Sequence, residues 1–582
     1  MKFTLVEHNP VLCDQSGVPK ISEAMKTFSQ RLPRAITFFG DSETSFENAT
    51  VKVLSAPKYL EIRKKNYEGE DPTTKLTVAA LRCSRSLRTL NVSDSTCNFA
   101  PKNVSAMARA IAKNRVLEKF WLSGHTEAGE SLRAEAELVR YNRSLRSLVL
   151  HGLNIDDINA PTFPDMSEVM GALAENRSLE VLHISLWRSG DAAVGDAAVF
   201  AIARMLTINE KIKQLGLINT RCTTEEVTAI ARAIKLNPST KLQELSLYGS
   251  YIGDAGAVEL AMMLNANTTL SCLTLGCGGI GNIGIQALAR VLKTGNKTLK
   301  SLDLSSNSCT NIEELADALR CNKSALEVLD LSFCKISDAA LLELIKALES
   351  NSILRIIDIC GHMINDEVAR AILEMLKKNH TITDIVLSDI RIDYDYTLLA
   401  KIDQLLNRNR LQEIVRMLLA LTHFSVLYFG NDWQIVNTMR KLVENDCTVA
   451  VVNSGWLDKR EIRRAMFWLD ARISSCDDLS PSCTAVIASF VLDDEGIAAI
   501  AEALKNNRTL KTLDLGSSSF GMKGMRALLD MLAENHTIMK INFDRDQLQS
   551  GADWTTCKDV LEQMLEERKS QAQPEICPGA KV

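Results

Sequence analysis

The chain has 582 residues, with 67 lysines and arginines against 72 aspartates and glutamates, for a formal net charge of -5. Hydrophobic residues make up 46% and charged residues 24%, an ordinary globular composition, so neither a long disordered chain nor a general phosphate-binding surface is expected. At about 100 to 200 residues per domain, the length allows several compact domains or one long solenoid.

The start, MKFTLVEHNPVLCDQSG, has one lysine and then an apolar run that Glu7, His8 and Asn9 interrupt too early for a secretory signal. Residues 1–75 stand outside the periodicity that follows. Ile21 to Leu32 reads as a helix, and Ala35 to Phe39 and Val51 to Leu54 as short strands. A stack of repeats needs its first edge covered, so this segment is an N-terminal cap or a small accessory module.

Across residues 76–410 the phrase L-x-x-L-x-L recurs, opening at Leu87, Leu117, Leu145, Leu179, Ile212, Leu242, Leu270, Leu299, Leu326, Leu354 and Ile382. From Leu242 onward the spacings are 28, 29, 27, 28 and 28 residues. SLDLSS at Ser301 to Ser306 alternates apolar and polar residues, the pattern of a short strand with Leu302 and Leu304 inward. A turn and an amphipathic helix follow, as in Ile252 to Leu264, where Val258, Leu260, Ala261 and Leu264 form the expected buried stripe. Asp338 and Asp366 fit helix starts, where a carboxylate accepts free amide protons.

An asparagine lies three residues before most phrase openings, among them Asn114, Asn142, Asn176, Asn267 and Asn535. Asparagine tolerates the left-handed backbone that stops a helix, and this is its expected role here. Eight of the eleven Asn-x-Ser/Thr matches, from Asn142 to Asn535, fall just before a recurring leucine, so a structural cause is preferred to glycosylation. The fifteen cysteines form no close CxxC pair and sit mostly inside apolar segments, as free thiols do in a reducing compartment, the cytosol or the nucleus.

Residues 411–483 depart from the pattern. Phe424 to Gly430 and Cys447 to Gly455 are strand-like, and Arg460 to Ile473 is helix-like, so the stretch reads as degenerate or irregular repeats, with a split into two domains as the other reading. The longest apolar run, Met417 to Phe429, is too short to cross a bilayer. The phrase returns at Leu510 and Ile538 within residues 484–568, which end on a helix from Cys557 to Arg568, and 569–582 form a loose tail.

One strand and one helix cannot bury their own apolar faces, but stacked copies can. The expected fold is therefore α/β: a curved solenoid with an inner parallel sheet and outer helices. The pattern resembles the ribonuclease-inhibitor class of leucine-rich repeats, and is similar to the repeat regions of NOD-like receptors and of Ran GTPase-activating proteins. No GxxxxGK[ST] loop accompanies it, so the nucleotide module of the NOD-like receptors is not expected. The acidic stretch of the Ran GTPase-activating proteins is also missing, and their catalytic arginine finds no matching position.

The residue between the two inner leucines should face outward from the sheet. That column runs Asn91, Trp121, Val149, His183, Gly216, Ser246, Thr274, Asp303, Asp330 and Asp358, with His151 and Tyr248 in the neighbouring outward column. Trp121, His151, His183 and Tyr248 offer aromatic or amphipathic contacts to a partner. Asp303, Asp330 and Asp358 form an acidic ladder suited to a basic surface, or else serve strand and turn chemistry alone. No elbow motif fixes a nucleophile and no Cys/His spacing marks a zinc site, so no catalytic, metal or cofactor residue is assigned.

The leading expectation is a non-enzymatic interaction scaffold or regulator that holds one or more proteins on the concave face, without nucleic-acid binding or membrane insertion. The alternatives are a GTPase-activating protein using an arginine near a turn, an innate-immune-like regulator, and a structural subunit of a cytoskeletal or ciliary assembly.

Overall fold

A computed structural model of the chain describes residues 34–39, 50–54, 57–64, 78, 81, 87–94, 101–126, 129–154, 171–173, 175–187, 196–362, 364–387, 396–420, 426–429, 449–452, 473–475, 485–488, 492–508, 510–515, 518, 520–543 and 552–572. The chain forms two compact units, Met1–Ala371 with Leu387–Arg391, and Ile372–Val386 with Ile392–Val582.

The first unit carries strands β1 (Arg34–Phe39), β2 (Thr50–Leu54), β3 (Pro57–Lys64), β4 (Thr89–Asp94), β5 (Lys119–Thr126), β6 (Ser147–Asn154), β7 (Val181–Trp187), β8 (Gln214–Ile218), β9 (Glu244–Ser246), β10 (Cys272–Thr274), β11 (Ser301–Asp303), β12 (Val328–Asp330) and β13 (Ile356–Asp358). Helices α1 (Pro101–Lys113), α2 (Gly129–Tyr141), α3 (Asp196–Leu206), α4 (Thr224–Leu236), α5 (Gly253–Ala266), α6 (Asn282–Thr294), α7 (Glu313–Arg320) and α8 (Asp338–Leu348) alternate with the later strands along the chain, and α9 (Asp366–Lys378) has only its residues through Ala371 in this unit. From β3 to β13 each strand pairs in parallel with the next in sequence, and β1 joins β3 in parallel and β2 antiparallel. Parallel neighbours require a crossover, and the helices supply it. Helices about 10 Å across, set behind strands about 4.8 Å apart, bend such a stack toward its strand side. This is the expected α/β solenoid of an inner parallel sheet backed by helices.

The core follows from the repeat. Leu302 and Leu304 are fully buried, while Ser301 and Asp303, which alternate with them, are half-buried. In α5 the buried set is Ala257, Leu260, Ala261, Met263 and Leu264. Val258, expected in that stripe, is half-buried. Asp338 lies in the first turn of α8, but Ser337 caps that helix, accepting from the Ala340 N–H at 3.3 Å. Asn365 rather than Asp366 caps α9, accepting from Val368 at 3.0 Å.

The recurring asparagines act through their side chains, which corrects the expected left-handed role. Asn267 has φ -82° and ψ 134°, and Asn535 has φ -88° and ψ 120°, both extended. The Asn142 Oδ1 accepts from the backbone N–H of Ser144 and Leu145 at 2.9 and 2.7 Å. Its Nδ2 donates to the carbonyls of Ile111 and Asn114, one repeat earlier, at 2.6 and 2.9 Å. Asn176, Asn296, Asn351 and Asn535 repeat this two-sided bridge. A helix end leaves carbonyls without partners, and here the next repeat supplies the donors. The hydroxyl of Ser144 also donates to the Asn142 Oδ1 at 3.1 Å, which accounts for the Asn-x-Ser/Thr pattern without a glycan.

The second unit has β14 (Asp384–Val386), β15 (Val426–Phe429), β16 (Val449–Val452), β17 (Ile473–Ser475), β18 (Ala485–Ala488), β19 (Thr512–Asp514) and β20 (Lys540–Asn542), with helices α10 (Tyr396–Ala420), α11 (Asp494–Leu504), α12 (Met522–Glu534) and α13 (Ala552–Ala572). Six of these strands form a parallel sheet in the order β17-β16-β18-β15-β19-β20, so β15 lies between β18 and β19 rather than beside the next strand in sequence. The two strand-like segments after residue 411 are thus β15 and β16. The expected helix across 460–472, like the one across 21–32, lies outside the described residues, and Ile473 opens β17. Asn409 performs the cap-asparagine task from inside α10, donating to Asn379 and Ile382 carbonyls at 3.1 and 2.8 Å, while Arg408 donates to Leu376 at 2.8 Å. In α13, Arg568 likewise donates to the Leu532 and Ile538 carbonyls. That helix runs to Ala572, beyond the point where a loose tail was expected. It covers Phe543 with Trp554, ring centroids 6.0 Å apart and edge to face.

Candidate interaction surface

The outward column of the first unit is in register across its strands. Asn91 pairs with Trp121, Trp121 with Val149, Val149 with His183 and His183 with Gly216. Gly216 pairs with Ser246, Ser246 with Thr274 and Thr274 with Asp303. Asp303 then pairs with Asp330, and Asp330 with Asp358. The side-chain period of two makes this alignment strict, since a slip of one residue would turn the leucines outward.

The column is not uniformly open. Trp121, His183, Tyr248 and the three aspartates are half-buried, whereas Asn91, Val149 and Thr274 are buried, against the expectation of an outward face throughout. Larger neighbours cover the smaller side chains, and Val149 sits in register between Trp121 and His183. His151 belongs to β6, and its side chain lies outside the description.

Two glycines allow the aromatics to lie against the sheet. A Cβ on Gly216 would stand 2.9 Å from the His183 Cδ2, and one on Gly276 would stand 2.7 Å from the Tyr248 Cε2. Tyr248 also accepts from the Cys277 thiol at 3.3 Å. These glycines were not singled out in the sequence. For Gly216 the available signal was a glycine at a strand position, which marks close approach by another group, whereas Gly276 lies past the end of β10.

In the acidic segment, the aspartates serve the turn and the surface together. Asp303 Oδ1 accepts from the Ser305 N–H at 2.9 Å and from its hydroxyl at 2.6 Å. Asp330 does the same with Ser332 at 3.0 and 2.7 Å, and Asp358 accepts from the Cys360 N–H at 3.0 Å. One carboxylate oxygen is therefore committed to its own turn, an Asx-type contact, and the charge remains on a half-buried face.

Beyond each strand runs a column in the left-handed region: Asn219, Gly249, Cys277, Ser306, Phe333 and Gly361, with φ between 50° and 80°. Asn219, Gly249, Cys277, Ser306 and Phe333 each donate the N–H to a carbonyl of the following repeat, as Phe333 does to Cys360 at 2.7 Å, which extends the ladder past the strand. Phe333 is 63% exposed, a bulky side chain held at φ 55° beside the acidic segment. Its exposure was not legible from the sequence.

Where the strands begin, a ladder of alternating charge links the repeats. Arg88 pairs with Glu118 at 3.0 Å, and Glu180 receives Arg146 at 2.7 Å and Lys213 at 2.8 Å. Burial works to raise the Glu180 carboxyl, but these two cations carry its net pKa shift downward. Lys300 and Arg355 flank Glu327 in the same way, at 3.5 and 4.0 Å.

Among the described residues, no group of three or more His, Cys, Asp or Glu could hold a metal ion, and no helix is long and apolar enough to cross a membrane. A family model described as "Leucine Rich repeat" matches residues 266–289, 295–308, 323–344 and 506–529. With the register above, this makes the chain a leucine-rich-repeat solenoid protein. No curated protein matches. Among solved structures, the chain is similar to one from the crystal structure of the Rad7 and Elc1 complex in yeast, at 18% identity and a TM-score of 0.37, covering 53% of this chain and 71% of that one. A second, the leiomodin-1 actin-binding site 2, is similar at 17% identity and a TM-score of 0.19, covering 39% of this chain and 96% of that one.

Proposed function

We propose that this protein is a non-enzymatic interaction scaffold or regulator that holds a partner protein on the strand face of its first unit. The supporting observation is the register-aligned column with two chemically distinct segments. Trp121, His183 and Tyr248 form the aromatic one, and Asp303, Asp330 and Asp358 the acidic one. Half-buried aromatics gain most when a partner removes the remaining water. In-register carboxylates favour a basic partner surface and add to its association rate. Among the described residues, no arrangement gives separate support to GTPase activation, immune regulation or a cytoskeletal or ciliary role.

The test is affinity capture with wild type and two variants. One is Trp121→Ala/Tyr248→Ala. The other is Asp303→Asn/Asp330→Asn/Asp358→Asn, which keeps the turn acceptor and removes only the charge. The expected result is loss of the same captured protein with one or both variants, with a salt dependence that the acidic variant abolishes. Equal capture by all three proteins would remove this face as the binding surface.

A further inference from the structure

A second exposed surface lies at the edge of the first unit where the helices end and the strands begin. Successive cap asparagines touch one another there. Asn142 donates to the Asn114 carbonyl at 2.9 Å, and the Ser178 hydroxyl donates to the Asn142 carbonyl at 3.4 Å. Asn209 donates to the Asn176 carbonyl at 3.4 Å, and Asn237 to the Asn209 carbonyl at 2.9 Å. The residues that flank these asparagines are therefore held in two lines along the edge. The line just before them runs Tyr141, Glu175, Ile208 and Leu236, and the line just after them runs Arg115, Arg143, Arg177 and Glu210.

Tyr141, Ile208 and Leu236 are 58%, 55% and 73% exposed, and they are three of the nine large apolar side chains exposed among the described residues. Apolar groups scattered singly over a surface are ordinary, but three at one register position make a row. The three arginines are exposed as well. An arginine near a helix end commonly satisfies the last carbonyls. Arg115 does so, donating to the Tyr141 carbonyl at 3.3 Å. Among the described residues, Arg143 and Arg177 form no hydrogen bond or ion pair. Arg146, three residues beyond Arg143, pairs with Glu180 at 2.7 Å, and Glu175 is held by Arg140 at 3.5 Å. The nearby carboxylates are thus engaged elsewhere, and two guanidinium groups stand uncompensated beside an apolar row.

We infer that this edge docks an extended acidic segment of a partner protein, with carboxylates on Arg143 and Arg177 and apolar side chains on Ile208 and Leu236. A guanidinium offers two parallel N–H groups to a carboxylate, which fixes direction as well as charge. Same-side residues of an extended chain recur about every 6–7 Å, between the strand spacing of about 4.8 Å and the helix width of about 10 Å that bracket the repeat spacing here. Glu210 closes the basic line, so the acidic part of the segment lies over Arg143 and Arg177 and its apolar part continues over Ile208 and Leu236. A nucleic-acid strand fits this edge less well. Glu175 and Glu210 interrupt the lines that a continuous row of phosphates would follow, and Ile208 and Leu236 offer neither cation nor stacking ring. The edge is separate from the outward column of the strands, and its occupancy does not depend on the binding role proposed for that column.

The test is selection of a displayed random dodecapeptide library on the full chain and on two variants, Arg143→Gln/Arg177→Gln and Ile208→Ser/Leu236→Ser. Wild type should enrich peptides that join Asp or Glu to Leu, Ile or Phe. The arginine variant should lose the acidic enrichment and the second variant the apolar one. In fluorescence anisotropy at low salt, a selected peptide should bind the arginine variant about tenfold more weakly than wild type. It should bind Asp303→Asn/Asp330→Asn/Asp358→Asn as wild type does, which separates this edge from the strand face. Absence of enrichment, or acidic enrichment that survives in the arginine variant, would overturn the inference. Labelled oligothymidine is the competing probe, and its binding in preference to the peptides, lost in the arginine variant, would overturn the inference in favour of nucleic acid.

Discussion

The carboxylate of Asp254, in the first turn of α5, accepts from the backbone N–H of Gly284, in the first turn of the next repeat's helix, at 2.8 Å. It accepts from Gly281 at the same distance, so one side chain caps the helix of the following repeat rather than its own. Asp494 makes the same pair of bonds to Gly521 and Gly524 at 2.9 and 2.6 Å. The glycines are required for space. A Cβ on Gly284 would stand 2.6 Å from Ile280 Cγ2, 2.8 Å from Ala257 Cβ and 2.9 Å from the Asp254 carboxylate. Gly284→Ala should therefore cost about 1–3 kcal/mol by overpacking, and Asp254→Ala about 1 kcal/mol by loss of a cap. Urea unfolding of both variants and their combination checks this, and full additivity would contradict a shared site.

Asn142 makes contacts that no other side chain of its size reproduces. Asn142→Asp keeps the acceptor toward Ser144 and Leu145 but loses the donor to Ile111 and Asn114, and places a charge against two carbonyls. Each buried group left without a partner costs about 1–3 kcal/mol. Both Asn142→Asp and Asn142→Ala should lower the unfolding midpoint strongly, with aspartate the worse of the two at neutral pH. Hydrogen exchange should show the loss first at the α1 and α2 ends.

Gly276→Ala should displace the Tyr248 ring from the sheet and break its contact with Cys277. The readout is the Tyr248 ring resonance by NMR together with the alkylation rate of Cys277, which should rise. An unmoved ring would show that the strand, not the tyrosine, yields.

Burial pushes the Cys222 thiol up to about 11 from an ordinary value of 9.0. A raised folded pKa contributes stability that is complete below the unfolded value and is lost as pH rises through the folded one. Between those two values the unfolded chain has released this proton and the folded chain holds it, so stability falls by about 1.4 kcal/mol per pH unit from this group. Cys222→Ala should remove that part of the alkaline slope, as measured by denaturant unfolding across pH 8 to about 11.5.

Glu180 has the opposite sign. Its pKa is lowered by Lys213 and Arg146 in opposition to burial, so its contribution is present above the unfolded carboxylate value and is lost as pH falls. The pair partners are partly exposed, which limits Glu180→Gln to about 1 kcal/mol or less. The loss should shrink in high salt. A cost that is large and salt-independent would point to packing instead of charge.

The repeat and its inward leucines were legible from residue order because burial imposes a period of two on a strand and a stripe on a helix. The same alternation placed Trp121, His183, Asp303, Asp330 and Asp358 in one column, and the strand pairing keeps them there. What lay outside residue order was every contact made between repeats. Asn142 reads as a helix stop until the neighbouring carbonyls of Ile111 and Asn114 appear beside it. Gly276 reads as one more turn residue until the Tyr248 ring lies where its Cβ would stand. These contacts join residues about one repeat apart, and their partners are chosen by how copies stack, a distance over which local propensity carries no information.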